Sequence, residues 1–404
     1  MTTEKSILIF GTGQLQQSLI ERCKLKGLYT VGIDPNPNAE CRNLVDIFEV
    51  VAGNDYNTSL AIAKKYSVSG VITAATDKPL VMMARVAEIL KLPFFSVEAA
   101  QISTDKLLMK QKFIEGGIPC AKGFIINDIN ELSEYDIAFP AIIKPRDNSG
   151  SRGVIYCQDF NKSESAVQEA LEYTSKGNVL IEEYIEGNEY SVEGIHFKGE
   201  HHVIQITEKT TTSFPYNVEV RHVQPADISE QRQKQIKDLV TKVARKLNFN
   251  NCASHTELKI NEKGIFIIET SPRLGGDFIS STLVPLSTGI NMEDILIDIS
   301  LNTDISFLKL SNLIQKNSGI IFFQLPKGNI KSIGNIKKMK IIKGCHSFQF
   351  NLGKGDRIPY LKNSIDRYGY AIFREDSREG LFESFEKCKY LLNQEIIIET
   401  DERN

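Results

Sequence analysis

"HTELKINEKGIFIIET", residues 255–270, holds two strand-like runs joined by the turn Asn261–Gly264. If the runs pair as an antiparallel hairpin around that turn, Glu257 on the first and Glu269 on the second lie side by side on one face. Close like charges destabilise a sheet unless a cation lies between them. Two carboxylates together with phosphate oxygens are the ligand set that magnesium prefers. The following "SPRLGGD" places Arg273 four residues past Glu269. An arginine there either stabilises charge on a transferring phosphoryl group or neutralises the glutamates structurally.

A second stretch asks for phosphate as well. "KPRDNSGSRG", residues 144–153, follows the apolar run Phe139–Ile143. As a surface turn it has the residues turns need. As a phosphate cradle, its glycines let backbone N–H groups approach anionic oxygens, its serines donate, and Lys144 and Arg152 supply charge. The spacing is not that of the G-x-x-x-x-G-K-[ST] loop, and no helix signature follows at once. In "LIEEYIEGNEY" Glu182 and Glu183 follow an apolar strand and Glu189 comes seven residues after Glu182; taken singly, such glutamates are solvated charges on an edge strand. "GTGQLQ", Gly11–Gln16, imitates a dinucleotide fingerprint, with Asp34 as a ribose-binding acid. Gln16 stands where the third glycine belongs, so a sheet-to-helix turn is expected there in preference to a nicotinamide site.

A chain of 404 residues predicts two or three domains. With 41% hydrophobic and 25% charged residues it reads as soluble and globular. The net charge of −3 argues against a dedicated nucleic-acid binder while leaving small anionic ligands open. No apolar run approaches the length that crosses a bilayer. The opening "MTTEKSILIFGTG" suits a first strand better than a secretion signal. Seven scattered cysteines without a C-x-x-C pair point to reduced thiols in a cytoplasm. Strand and helix patterns alternate over the first ninety-odd residues, which predicts a parallel sheet covered on both faces. From near residue 120 hairpin signals take over, and from about 306 short strands and turns lead to a final helix.

In their order these pieces resemble the ATP-grasp superfamily: Lys106 in "STDKLLMKQKF", Lys144 in "IIKP", the loop "NSGSRG", the hinge "EEYI", then Glu189, Glu257, Glu269 and Arg273. The resemblance implies an α/β fold in three parts: a parallel pre-ATP-grasp domain over 1–95, an α+β ATP-grasp domain over 96–305 with a mobile lid at about 117–187, and a β-rich C-terminal subdomain over 306–404. It also implies roles. Lys106 and Lys144 contact ATP phosphates, and Ser149, Gly150, Ser151 and Gly153 close over them. Glu182 and the backbone at Ile185 read the adenine edge, Ile142 lines the ring pocket, and Glu189 holds the ribose. Glu257 and Glu269 bind magnesium, and Arg273 stabilises an acyl phosphate. The family usually has asparagine where this chain has Ser271, a weaker magnesium ligand.

"PYNVEVRHVQPADIS", residues 215–229, resembles the segment with a glutamate and, three residues on, a histidine in the L-amino acid ligases and related dipeptide synthetases. That makes Glu219 a further magnesium ligand, and His222 a residue that binds the substrate carboxylate or helps to deprotonate the amine. "RLGGD" is where those ligases line the amine pocket. Gly275 and Gly276 would leave room there, and Asp277 would face the acceptor or else cap the helix that begins near "FISSTL". The expected function is an ATP- and magnesium-dependent carboxylate–amine ligase acting on small molecules, with neither nucleic acid nor membrane as partner and a homodimer left open. A bicarbonate- or formate-activating enzyme of the carboxylase or purine type, and a non-catalytic nucleotide binder, are the alternatives.

Overall fold

The computed structural model describes residues 5–148, 150–303, 305 and 314–400. Ser149 and residues 306–313, where the C-terminal subdomain was expected to begin, lie outside them.

Strands β1 (Ser6–Phe10), β2 (Tyr29–Asp34), β3 (Ile47–Val50) and β4 (Gly70–Ile72) form a parallel sheet in the order β3-β2-β1-β4. All five residues of β1 are buried, as a central parallel strand covered on both faces requires. Its alternate side chains serve two cores. Leu8 and Phe10 pack among Met83 and Val86 of helix α3 (Leu80–Leu90), while Ile7 and Ile9 pack with Leu19 and Ile20 of α1 (Gln17–Leu25). Helix α2 (Tyr56–Lys65) completes the alternation, and α4 (Val97–Ser103) leads to α5 (Lys106–Glu115). The Asp105 carboxylate caps α5 by accepting from the Leu107 and Leu108 amides.

A second sheet has the antiparallel order β5-β8-β6-β7, from β5 (Gly123–Ile126), β6 (Ala141–Pro145), β7 (Ile155–Cys157) and β8 (Val179–Glu183). With α6 (Ser163–Leu171) it encloses a core of its own around Ile126, Ile143, Val167 and Ile181. The third sheet is the largest and antiparallel throughout. It brings together β9 (Asn188–Phe197), β10 (Glu200–Thr211), β11 (Glu219–Gln224), β12 (Cys252–Asn261), β13 (Gly264–Ser271), β14 (Asn317–Phe322), β16 (Cys345–Phe350) and β17 (Gly369–Glu375), in the order β13-β12-β9-β10-β11-β14-β17-β16. Three strands from the C-terminal region thus continue the sheet that carries the paired glutamates. Strand β15 (Gly328–Ile333) pairs separately with β18 (Ile396–Thr400). Helix α7 (Glu230–Lys246) turns Ile236, Val240 and Val243 into the core shared with β9 and β12. After β13 come a short π-helix at Ile279–Leu283, then α8 (Val284–Thr288) and α9 (Met292–Ser300). Helix α10 (Arg378–Glu395) covers β14 and β17 with Leu381 and Phe385. Among the described residues no helix is long and apolar enough to cross a membrane.

Candidate functional site

Between the second and third sheets runs a cleft of about 570 Å³. The hairpin expected at 255–270 forms its most informative wall. Glu257 of β12 stands directly opposite Glu269 of β13, and the register slips immediately after, between Glu257 and Leu258. A bulge at that point bends the strand and re-aims its side chains.

Each glutamate has a lysine. Lys106 Nζ lies 2.6 Å from Glu269 Oε2. Lys209, from β10, reaches Glu257 Oε1 at 2.6 Å and Glu219 Oε1 at 3.2 Å. Burial alone would push the Glu257 carboxyl up, but Lys209 and His255 outweigh it and hold the group well below the usual carboxylate range. Burial would likewise lower Lys209, yet Glu257 and Glu219 raise it well above an ordinary lysine. Beneath Glu257, His255 Nδ1 meets the fully buried Glu193 at 2.6 Å, and its Nε2 is 3.4 Å from Glu257 Oε1. Burial works against the imidazolium, but Glu193 prevails and raises His255 to about 9.

The facing side of the cleft comes from the second sheet. Lys144 ends β6 with its ammonium 2.5 Å from Glu182 Oε2, and Lys110 holds the other oxygen at 2.7 Å. Both oxygens of Glu182 are therefore occupied by lysines. The expectation assigned this carboxylate to an adenine edge; here its two oxygens meet two ammonium groups. Burial raises the Glu182 carboxyl, but Lys144 and Lys110 bring it below its ordinary value. Ile142, Ile185 and Glu189 line the same end, and Glu189 pairs with Lys259 at 3.1 Å.

In the loop after Lys144, Gly150 and Ser151 border the cleft with φ of 70° and 57°. Gly153 does not border it: at φ 71° it lies against Tyr173, where a Cβ would come within 2.8 Å of the ring. Its freedom from a side chain shapes the loop.

The segment after β13 differs most from expectation. Arg273 pairs directly with neither of the two glutamates, although its charge acts on both from a distance. Its guanidinium grips Asp77 with two hydrogen bonds, of 2.7 and 2.8 Å, and the Ser271 hydroxyl donates to the same carboxylate at 2.6 Å. Gly275 faces away from the cleft, since a Cβ there would lie 2.7 Å from both Glu193 Oε2 and His255 Nδ1; its missing side chain makes room for that buried pair. Gly276 does border the cleft. Asp277 provides no side-chain cap for the π-helix, whose N-cap is Phe278. It is instead clasped by Arg367 at 2.5 and 2.7 Å and approached by His222 Nε2 at 3.2 Å. Burial raises the Asp277 carboxyl, but Arg367 and His222 pull it well below the usual range. Glu219 and His222 both face the cleft, with Glu219 also accepting from Ser364 Oγ at 3.3 Å.

The turn "GTGQLQ" serves structure. Gln16 Nε2 donates to the Ala74 carbonyl, and the Asp34 carboxylate accepts from the amides of Thr12 and Asn36.

Glu257 and Glu269, with Glu219 joined to Glu257 through Lys209, offer the hard oxygen donors that suit magnesium. Among the described residues no three His, Cys, Asp or Glu gather as a metal site. Sequence reasoning missed Asp77, Lys110, Glu193, Lys209, His255 and Arg367. Of these, only His255, two residues before Glu257, carried a local signal.

An ATP-grasp domain model matches residues 137–281. The alanine–anticapsin ligase of Bacillus subtilis (strain 168) is 27% identical over 256 residues, 56% of this chain and 53% of that protein. The chain spans about half the length of the alanine–anticapsin ligases it matches. The D-alanine–D-alanine ligase of Neisseria meningitidis serogroup B is 26% identical over 223 residues, 52% of this chain and 72% of the ligase. Among solved structures, the L-amino acid ligase from Bacillus licheniformis superposes with a TM-score of 0.83 at 19% identity, covering 99% of this chain and 100% of that one. The phosphoribosylglycinamide synthetase from Anaerococcus prevotii gives 0.75 at 22%, covering 98% and 100%. These two likenesses are ones of fold.

Proposed function

We propose that the chain, whose residues 137–281 match an ATP-grasp domain model, is an ATP-grasp enzyme: an ATP- and magnesium-dependent ligase that joins a small carboxylic acid to an amine and releases ADP and phosphate. The observation that carries this reading is the opposition of Glu257 and Glu269 in a cleft that also holds Lys106 and Lys144. The ligase relatives support the choice of carboxylate and amine as substrates.

Lys106 and Lys144 bind phosphate oxygens, and the loop through Ser149, Gly150, Ser151 and Gly153 closes over them as part of the lid. Glu182 fixes the Lys144 ammonium, Ile142 packs on the adenine, Ile185 reads its edge through the backbone, and Glu189 holds the ribose. Glu257 and Glu269, with Glu219 as a further ligand, would hold magnesium, which would supply charge against the phosphate oxygens. A substrate carboxylate oxygen attacks the γ-phosphorus, the bond to the bridging oxygen breaks, and ADP leaves. Arg273 stabilises the resulting acyl phosphate, and the closed lid keeps water from it. The amine lone pair then attacks the acyl carbon, and phosphate departs with the electrons of the broken C–O bond. The nitrogen gives up a proton, and His222, beside Asp277, is the residue we assign to assist that loss. An α-amino group has a pKa near ~8 and needs only modest help.

The test is phosphate release from ATP and magnesium against amino acids and small carboxylic acids, singly and in pairs, with ADP and AMP assayed. ADP appearing only with certain pairs is expected. Release with bicarbonate or one acid alone would move the reading to the carboxylase or purine type, and no release at all to a nucleotide binder.

A further inference from the structure

Past the Gly275–Gly276 segment lies a second cavity, of about 180 Å³. It shares Leu15, Ala75 and Gly276 with the large cleft, so the two spaces adjoin there. A Cβ at position 276 would meet only Ala75 Cβ, at 3.7 Å. Residue 276 thus puts no side chain into the boundary between them.

The walls are polar and acidic. Glu21 comes from α1 and Glu293 from α9, and among the described residues no lysine or arginine lines the space. Glu293 is 1% exposed. Its Oε2 accepts from Ser18 Oγ at 2.5 Å and lies 3.4 Å from Arg22 Nε, but its Oε1 has no hydrogen-bond partner among the described residues. Arg22 is shared, since its NH1 lies 3.0 Å from Asp294. A structural tie between α1 and α9 accounts for Oε2 alone. A carboxylate oxygen removed from water without a donor is costly; Oε1 is closed off from solvent, and a ligand donor that displaces what covers it would remove that cost. Burial pushes the Glu293 carboxyl up to about 7, which a cation alongside would reverse. Asp277, the other acid near Gly276, already has its charge met by Arg367.

We propose that this cavity is a distal subsite for the amine substrate, taking an ammonium or guanidinium group on a short chain that passes Gly276 and donates to Glu293. The proposal rests on the ligase reading above and narrows its acceptors to amines bearing a second, basic nitrogen.

Calorimetric binding of L-lysine and of its uncharged counterpart L-norleucine to the full chain, with ATP-analogue and magnesium present, tests it without any variant. A charged hydrogen bond predicts lysine binding roughly ten-fold or more tighter, with the preference collapsing toward equality in Glu293→Gln. Equal binding to the wild-type protein, or a preference that survives Glu293→Gln, overturns the subsite. The same pair is then offered as acceptors for ADP release. Glu293-dependent lysine binding with no ADP release from any acid–amine pair keeps the cation subsite and overturns the ligase reading. Lysine-independent ligation does the reverse.

Discussion

Replacing Lys209 by methionine removes the cation that lies between Glu219 and Glu257 while keeping most of the side-chain volume. The ammonium sits 3.2 and 2.6 Å from the two carboxylates, and its side chain is only 4% exposed. At an effective dielectric near 20, each contact represents roughly 5–6 kcal/mol of Coulomb attraction. Desolvation offsets much of that, and deleting one partner of a buried ionic cluster costs about 3–5 kcal/mol. Lys209→Met should therefore lower stability in urea by about that amount when no divalent cation is present. The two carboxylates left together should then recruit magnesium without nucleotide. At a hundred-fold excess over its dissociation constant the metal returns about 2.7 kcal/mol. The assay is urea unfolding of both proteins with EDTA and with magnesium. A larger magnesium gain in the variant is expected. Equal gains in the two proteins, or a variant as stable as wild type in EDTA, would refute the reasoning that Glu219 and Glu257 share one cation position.

Asp77→Asn should leave the Arg273 guanidinium buried against a neutral amide and lower stability by about 3–5 kcal/mol, with Asp77→Glu recovering part of it; an unchanged urea midpoint would show that the pair is not formed in solution. Gly275→Ala should cost about 1–3 kcal/mol through overpacking, because its Cβ falls 2.7 Å from Glu193 Oε2 and His255 Nδ1, and a neutral result by the same assay would place those groups elsewhere. Glu293 has a carboxyl raised to about 7 in the fold. The folded chain therefore binds that proton more tightly than the unfolded chain, and the associated stability is complete below pH ~4.3 and lost as pH rises through about 7. The difference amounts to about 4 kcal/mol, and Glu293→Gln should flatten stability between pH 5 and 7; identical pH slopes would remove the claim.

The hairpin was legible because it is local, with Asn261–Gly264 as its turn, but counting from that turn sets Glu257 against Ile268; the bulge between Glu257 and Leu258, which no spacing announces, is what brings it opposite Glu269. The charges that neutralise the two glutamates were not legible. Lys209 lies in "HHVIQITEK", where a lysine in an alternating strand looks like any solvent-facing charge. Asp77 is 196 residues from Arg273, and Arg367 is 90 from Asp277. No spacing rule links partners that meet only when separate sheets pack. The two glycines of "RLGGD" show a finer limit. Both read as sources of room, but Gly275 turns toward the Glu193–His255 pair and Gly276 toward the cleft, because neighbours on a chain face different ways.

On the proposed function, the ion pairs of the cleft would make nucleotide and metal binding interdependent. For Lys144 to meet a phosphate it must loosen its hold on Glu182, and Lys110 remains to balance that carboxylate. Lys106 has no such substitute in direct contact, only the more distant charge of Arg273. When it turns from Glu269 to a phosphate, Glu269 keeps no other ion-pair partner among the described residues and stands directly across from Glu257. Two opposed carboxylates destabilise the hairpin unless a cation replaces the lysine. A divalent ion arriving with the triphosphate meets that need and also balances the phosphate oxygens. The asymmetry between the two lysines therefore predicts positive coupling that Lys106 transmits and Lys144 does not.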